Sequence, residues 1–229
     1  MPTVDRHSRD RVASEVRRFL NSEITAFAFD EAIYDIESDD PTVRDIVCRL
    51  WHHYDDCMDH MVSLSKTEWN YFQRLLLILE SDRQIKTEVR REWHWSQLLA
   101  FVSLLGFVFV AFQMGIGQHL LAIFIPFGLV SMSIAYFRRR AHRAQVPDVS
   151  FYTLTPFATF TELWDTCRSV GGFKKQRFRS EADTKIRSDA MSRILMIPTW
   201  LGWLMFSPLV LLVQSLPQQK DTTNVVPST

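Results

Sequence analysis

Three uncharged apolar stretches constrain this chain more than any other feature. Trp95 to Ile116 runs twenty-two residues without a charge. After the turn Gly115-Ile116-Gly117-Gln118, a second uncharged run from His119 to Phe137 stops at Arg138-Arg139-Arg140. A third extends from Ile194 to Leu216. A helix needs about 20 apolar residues to cross a hydrocarbon core of about 30 Å, so each stretch is long enough. The fold expected is all-α. It is a multi-span integral membrane protein with a cytoplasmic N-terminal helical bundle, a transmembrane helical hairpin and a third membrane helix.

The chain of 229 residues has no formal net charge, but the zero hides a division. Residues 1–92 hold nineteen acidic and thirteen basic side chains, a balance of −6, whereas residues 138–193 hold six acidic and twelve basic, +6. Such asymmetry points to a membrane surface, an anionic partner or mutual docking. The organisation expected is an acidic helical domain over 1–92 and a hairpin over 93–137, with spans at about 95–116 and 119–137. A basic amphipathic segment over 138–193, a third helix over 194–216 and a short polar tail over 217–229 follow.

Lys86, Arg90 and Arg91 precede the first stretch, and Arg138, Arg139, Arg140 and Arg143 follow the second. Cations stay on the cytoplasmic side. The N-terminus and residues 138–193 are therefore expected inside, the Gly115 to Gln118 turn outside and the C-terminal tail outside, in a plasma (inner) membrane. Pro198 and Pro208 interrupt the third stretch, which leaves a re-entrant segment as its alternative. The charged start, Met-Pro-Thr-Val-Asp-Arg-His, has no apolar core of a cleaved signal. Three cysteines without framework spacing, Cys48, Cys57 and Cys167, read as reduced thiols in a reducing compartment.

The acidic region reads as helix throughout, since no glycine occurs before Gly106 and only Pro2 and Pro41 interrupt it. Helices are expected over about Asp10 to Leu20 and Ser22 to Ile36. A third starts at Pro41, with Asp40 as its N-cap, and runs to about Met61. Val43, Ile46, Val47, Leu50, Trp51, Tyr54, Met58 and Met61 make its apolar stripe. A fourth opens at Ser65, where Glu68 three residues later completes a capping box. Trp69, Phe72, Leu75, Leu76, Ile78 and Leu79 form its buried face. No breaker follows, so this helix is expected to run straight into the membrane as a stalk.

One constellation carries possible chemistry. His52, Asp56 and His60 fall at i, i+4 and i+8 of the third helix, close enough to share an ion. Imidazole and carboxylate suit Zn²⁺, Mn²⁺ or Fe²⁺, and Asp30, Glu31 or Asp35 are available to complete such a site. The preferred reading is a solvated face, because the line lies beside the apolar stripe and lacks a specific ligand motif. No catalytic residue, metal or cofactor is expected.

In the basic segment, Thr155-Pro156 is expected to open a helix that stops at Gly171-Gly172. Val149, Phe151, Tyr152 and Leu154 precede it. Phe157, Phe160, Leu163 and Trp164 share one side of it, and Lys174, Lys175, Arg177 and Arg179 follow. Phe157, Phe160, Trp164, Lys174, Lys175, Arg177 and Arg179 are the candidate membrane-interface residues, since an aromatic stripe beside cations suits an anionic leaflet. The alternative is packing against the acidic module, with a weak, salt-sensitive dock between the opposite charges. Nucleic acid is not expected.

The three stretches contain no Asp, Glu, Lys or Arg, which argues against a pump or coupled transporter. The function expected is a membrane-anchored interaction or regulatory module. Its partners are the bilayer, anionic lipid headgroups and a protein or a second copy of the chain. A membrane-bound metalloenzyme using His52, Asp56 and His60 is the alternative, and an oligomeric small channel the second.

Overall fold

The computed structural model describes residues 4–51, 53, 57–115, 117, 120–145, 154–179, 186 and 188–227. The chain forms two compact units. The first comprises Met1–Glu88, Asp148–Ile186 and Thr222–Thr229, and the second Val89–Pro147 and Arg187–Asp221.

In the first unit, α1 (Arg6–Leu20) begins where the Asp5 carboxylate accepts the Ser8 amide at 3.1 Å. Its Val12, Val16, Phe19 and Leu20 recur at helical spacing and are buried. Thr25 caps α2 (Ala26–Tyr34), whose Phe29 stacks on Phe19 at 4.8 Å. Helix α3 spans Pro41–Trp51, and its first turn hangs on Asp40, whose Oδ1 accepts the Thr42 amide at 2.9 Å.

Helix α4 (Lys66–Glu80) is the centre of the unit. The Ser65–Glu68 capping box forms as its spacing predicts, with the Ser65 amide donating to Glu68 at 2.8 Å. From Trp69 to Leu79 nearly every side chain is buried, so α4 is enclosed rather than one-sided.

Two expectations about these helices fail. Helix α3 ends at Trp51, not near Met61, although the apolar spacing continues. Trp51, Met58 and Met61 are about half exposed, and Tyr54 lies outside the described residues. Nor does α4 run on as a stalk. It stops at Ser81, and the chain continues as β1 (Arg83–Glu92). Ile85, Thr87 and Val89 alternate there, the β-branched period-two pattern of a strand. The carbonyls that a continuing helix would use are taken by arginines of α1. Arg6 donates to Leu79 O at 2.6 Å, and Arg9 to Ser81 O at 2.7 Å.

The strand β2 (Gln218–Pro227) pairs with β1 in a two-stranded sheet. Ile85 and Val225 both enter the core of the first unit. Arg49 of α3 reaches Thr87 Oγ1 at 3.4 Å and Thr223 Oγ1 at 3.3 Å, one hydroxyl on each strand.

The second unit holds α5 (Trp95–Met114), α6 (Leu120–Gln145), α8 (Asp189–Met205) and α9 (Ser207–Ser215). Phe107 of α5 meets Phe124 and Phe127 of α6, with centroids at 5.5 and 5.4 Å. Leu204 of α8 lies so close to Gly128 of α6 that a Cβ there would stand 2.7 Å from a leucine methyl. Helix α9 is tied to α6 by Ser207 Oγ donating to Phe124 O at 3.2 Å and Gln214 Nε2 to Ser131 O at 3.1 Å. Arg138 joins α5 to α9, through Ser96 Oγ at 2.7 Å and Gln214 O at 2.8 Å.

These elements correct the expected fold class in two respects. The chain is mostly helical but not all-α, because β1 and β2 pair. The multi-span reading fails as well. Among the described residues, α5 is the one helix long and apolar enough by itself to cross a membrane. Helix α6 contains Pro126 and carries its cations to Gln145. The third stretch is two helices, bent by 80° around Phe206, with Pro198 inside α8 and Pro208 in the first turn of α9. A proline removes an amide donor and crowds the preceding turn, which fits a break in place of one straight helix. The tail expected as a short polar extension is β2, paired with β1.

Candidate functional site

The basic segment provides the first candidate surface. Helix α7 (Phe160–Val170) is capped by Thr159, whose Oγ1 accepts the Glu162 amide at 3.2 Å, and it ends at Gly171 in the left-handed region, φ 63°. It thus opens four residues after the expected Thr155-Pro156 start and stops where expected. Val149, Phe151 and Tyr152 lie outside the described residues.

The expected aromatic stripe divides. Phe157 is buried in the core of the first unit, and Leu163, Cys167 and Val170 pack on that core. Burial raises the Cys167 thiol pKa. Phe160 and Trp164 instead stack on each other, centroids 6.5 Å apart, and are 65% and 55% exposed. Phe157 therefore has no part in an outward face, while Phe160 and Trp164 remain on one.

Beyond Gly172 the chain runs without helix or strand against α4. Gln73 of α4 and Gln176 hold each other reciprocally: the Gln176 amide donates to Gln73 Oε1 at 2.9 Å, and Gln73 Nε2 to Gln176 Oε1 at 3.4 Å. Trp69 Nε1 donates to Gln176 O at 3.3 Å, and the Trp69 ring meets Phe178 edge-on at 5.7 Å. Phe173, Gln176 and Phe178 point inward; Lys174, Lys175, Arg177 and Arg179 are exposed. The dock between basic segment and acidic module is thus amide and aromatic. Among the described residues, none of these four cations forms an ion pair. Gln73 was the legible signal, a polar residue amid an apolar run.

A second cluster joins α3 and α4. Arg49 pairs with Asp45 at 2.6 Å and also faces Tyr71. Burial opposes the Arg49 charge, but Asp45 and Tyr71 hold its pKa above the ordinary value. Burial likewise raises Tyr71. Arg74 lies over the Tyr71 ring at 5.9 Å and donates to Thr155 O at 2.6 Å; burial lowers its pKa to about 10. His53 packs on Tyr71 and Phe72, its Nδ1 3.9 Å from Glu68. His53 and the Ser65 hydroxyl and amide hold Glu68 at about 2, against the opposing effect of its burial.

A depressed carboxyl stabilises the fold above its unfolded value, here near 4.5, and that stability is lost as pH falls toward about 2. Glu68 is 44% exposed, so solvent screening limits the effect to about 1 kcal/mol. Glu68→Gln is expected to flatten the acid-unfolding profile of the first unit between these limits. Parallel profiles for the two proteins would contradict the coupling.

The His52, Asp56 and His60 line does not survive as drawn. His60 lies beyond the end of α3 in a loop, its Nδ1 2.6 Å from Met61 O, while His52, Asp55 and Asp56 lie outside the described residues. Asp59 accepts the Phe27 amide at 3.1 Å, and this bond lowers its pKa. Among the described residues, no three His, Cys, Asp or Glu side chains are grouped to hold a metal.

No family model, curated protein or solved structure matches this chain.

Proposed function

We propose that the chain is a membrane-anchored interaction or regulatory module. Helix α5 is held in the bilayer of a plasma (inner) membrane without leaving the chain on the far side, since segments before and after it share the core of the first unit, and that unit works at the cytoplasmic face on a protein partner or a second copy. The observation that carries this reading is the surface of α5. Its twenty residues carry no charge, and of them Gln97 and Ala100 are the buried ones. Leu98, Phe101, Leu105, Phe109 and Phe112 are each about half exposed or more. A core helix of a water-soluble domain would bury such residues, and a contiguous apolar surface of this extent calls for lipid or a partner. Arg90 and Arg91 stand just before α5, which favours a cytoplasmic first unit.

The test is extraction. Membranes from cells making the chain are washed at alkaline pH and floated on a density gradient. The chain is expected to stay with the lipid. Release into the wash would exclude α5 as an anchor.

A further inference from the structure

We infer that the Lys174–Arg179 ridge is a docking surface for anionic phospholipid headgroups. The inference rests on the anchoring reading above and names the second contact that the anchored module makes.

The first argument is preorganisation. Gln176 is bonded through its backbone and its side chain, and Phe173 and Phe178 pack on the core. Gln73 is 3% exposed, so peeling the segment away would strip bonds from a buried amide. Arg179 adds a bond from Nη1 to Asn21 O at 3.1 Å. Exposure alternates from 175 to 179, with Gln176 and Phe178 turned in, so Lys175, Arg177 and Arg179 project together.

The second argument is what the cations leave undone. Residues 1–92 carry a surplus of six acids, yet among the described residues the segment meets no carboxylate of theirs: it docks through Gln73, Trp69 and Phe178, and Arg179 reaches a neutral carbonyl. Exposed ion pairs are weak, and a single-sign exposed row is a field for an outside anion. The third is proximity. Helix α5 begins seven residues after the first unit leaves off at Glu88, a tether of at most about 25 Å. Chain connectivity alone keeps the first unit within reach of the bilayer that holds α5. Each juxtamembrane cation adds ~1 kcal/mol at an anionic leaflet, so the three that share a face correspond to a preference of roughly a hundredfold for the docked state.

The full chain is reconstituted into neutral nanodiscs and into nanodiscs rich in anionic phospholipid. The acylation rates of the Lys174 and Lys175 amines by an uncharged reagent are read by mass spectrometry. Anionic lipid is expected to slow both about three- to sevenfold, the factor by which a leaflet potential depletes free amine. In Arg177→Gln/Arg179→Gln the slowing should shrink, while Lys66, on α4, reports the background rate. Equal rates in the two lipids would overturn the inference. So would equal slowing in neutral nanodiscs on adding inorganic phosphate, which would mark a site for a free anion. Failure of the anchor looks different: the chain would not stay in neutral nanodiscs at all.

Discussion

Exchange of Arg9 for methionine is expected to cost the first unit about 3–5 kcal/mol, a large share of an ordinary domain's stability. Arg9 and Asp40 are both fully buried, and Arg9 Nε meets Asp40 Oδ2 at 2.7 Å. The guanidinium also holds Ser81 O at 2.7 Å and Arg83 O at 2.8 Å, where α4 gives way to β1. Asp40 in turn caps α3 and accepts the Asp5 amide at 3.3 Å. One side chain therefore ties α1, α3 and the α4–β1 junction together.

Removing the arginine alone leaves a buried carboxylate without its cation, which is the costly case. Arg9→Met/Asp40→Asn removes both charges and keeps a cap for α3, so its loss should fall well below the sum of the single variants. Hydrogen exchange of the α4 amides measures this in the full chain. Additive losses would show that the two residues are not coupled. The pH response also changes. In the native chain burial raises the Asp40 pKa, but the Arg9 bond and the Thr42 amide outweigh it, and the net shift is downward. Asp40 thus contributes stability above its unfolded value that is lost as pH falls through the folded one. In Arg9→Met only the Thr42 and Asp5 amides remain against burial, so the pKa moves upward and acid should cost the variant less than the native chain.

Most local signals in the sequence were obeyed by the fold, although Thr155-Pro156 did not open a helix. Asp40 before Pro41, Ser65 three residues ahead of Glu68 and Gly171 after Val170 each act through bonds within a few residues, and each terminus forms where its chemistry places it. The buried face of α4 followed because its apolar residues outnumber what one face can hold. What stayed hidden depends on partners far along the chain. Arg9 resembles any other cation of a charged N-terminus until Asp40 and the end of α4 surround it. The pairing of β1 with β2 joins segments more than one hundred residues apart, and neither is apolar enough to announce a strand. Helical spacing from Val43 to Met61 continued past the true end at Trp51, because spacing alone does not fix where a helix stops. The aromatic segment was legible as amphipathic, but not as divided between a core residue, Phe157, and an outward pair, Phe160 and Trp164.

The strand pair also fixes where β2 must lie. Val225 is 3% exposed and Ile85 8%, both in the core of the first unit. A reporter placed after Thr229 is therefore expected on the same side of the membrane as one placed before Met1, by reaction with an impermeant reagent in intact cells. Opposite accessibility would contradict the pairing itself. Deleting residues 218–229 should be severe as well. It removes the one partner that β1 has among the described residues, and a lone strand does not hold its conformation in water. Loss of Val225 burial alone is worth about 1.5–3 kcal/mol. Arg49 keeps Asp45 and Thr87 but loses Thr223. Amide protection across 83–88 is expected to vanish while that of α4 falls only in part, because the Arg9–Asp40 junction lies upstream and remains intact. Val225→Asp is the finer probe: it spares the backbone ladder but forces an unpaired carboxylate into the core, so β2 should detach at neutral pH and re-pair as acid neutralises the new side chain. A variant whose 83–88 amides stay protected at neutral pH would show that Val225 does not hold the sheet to the core.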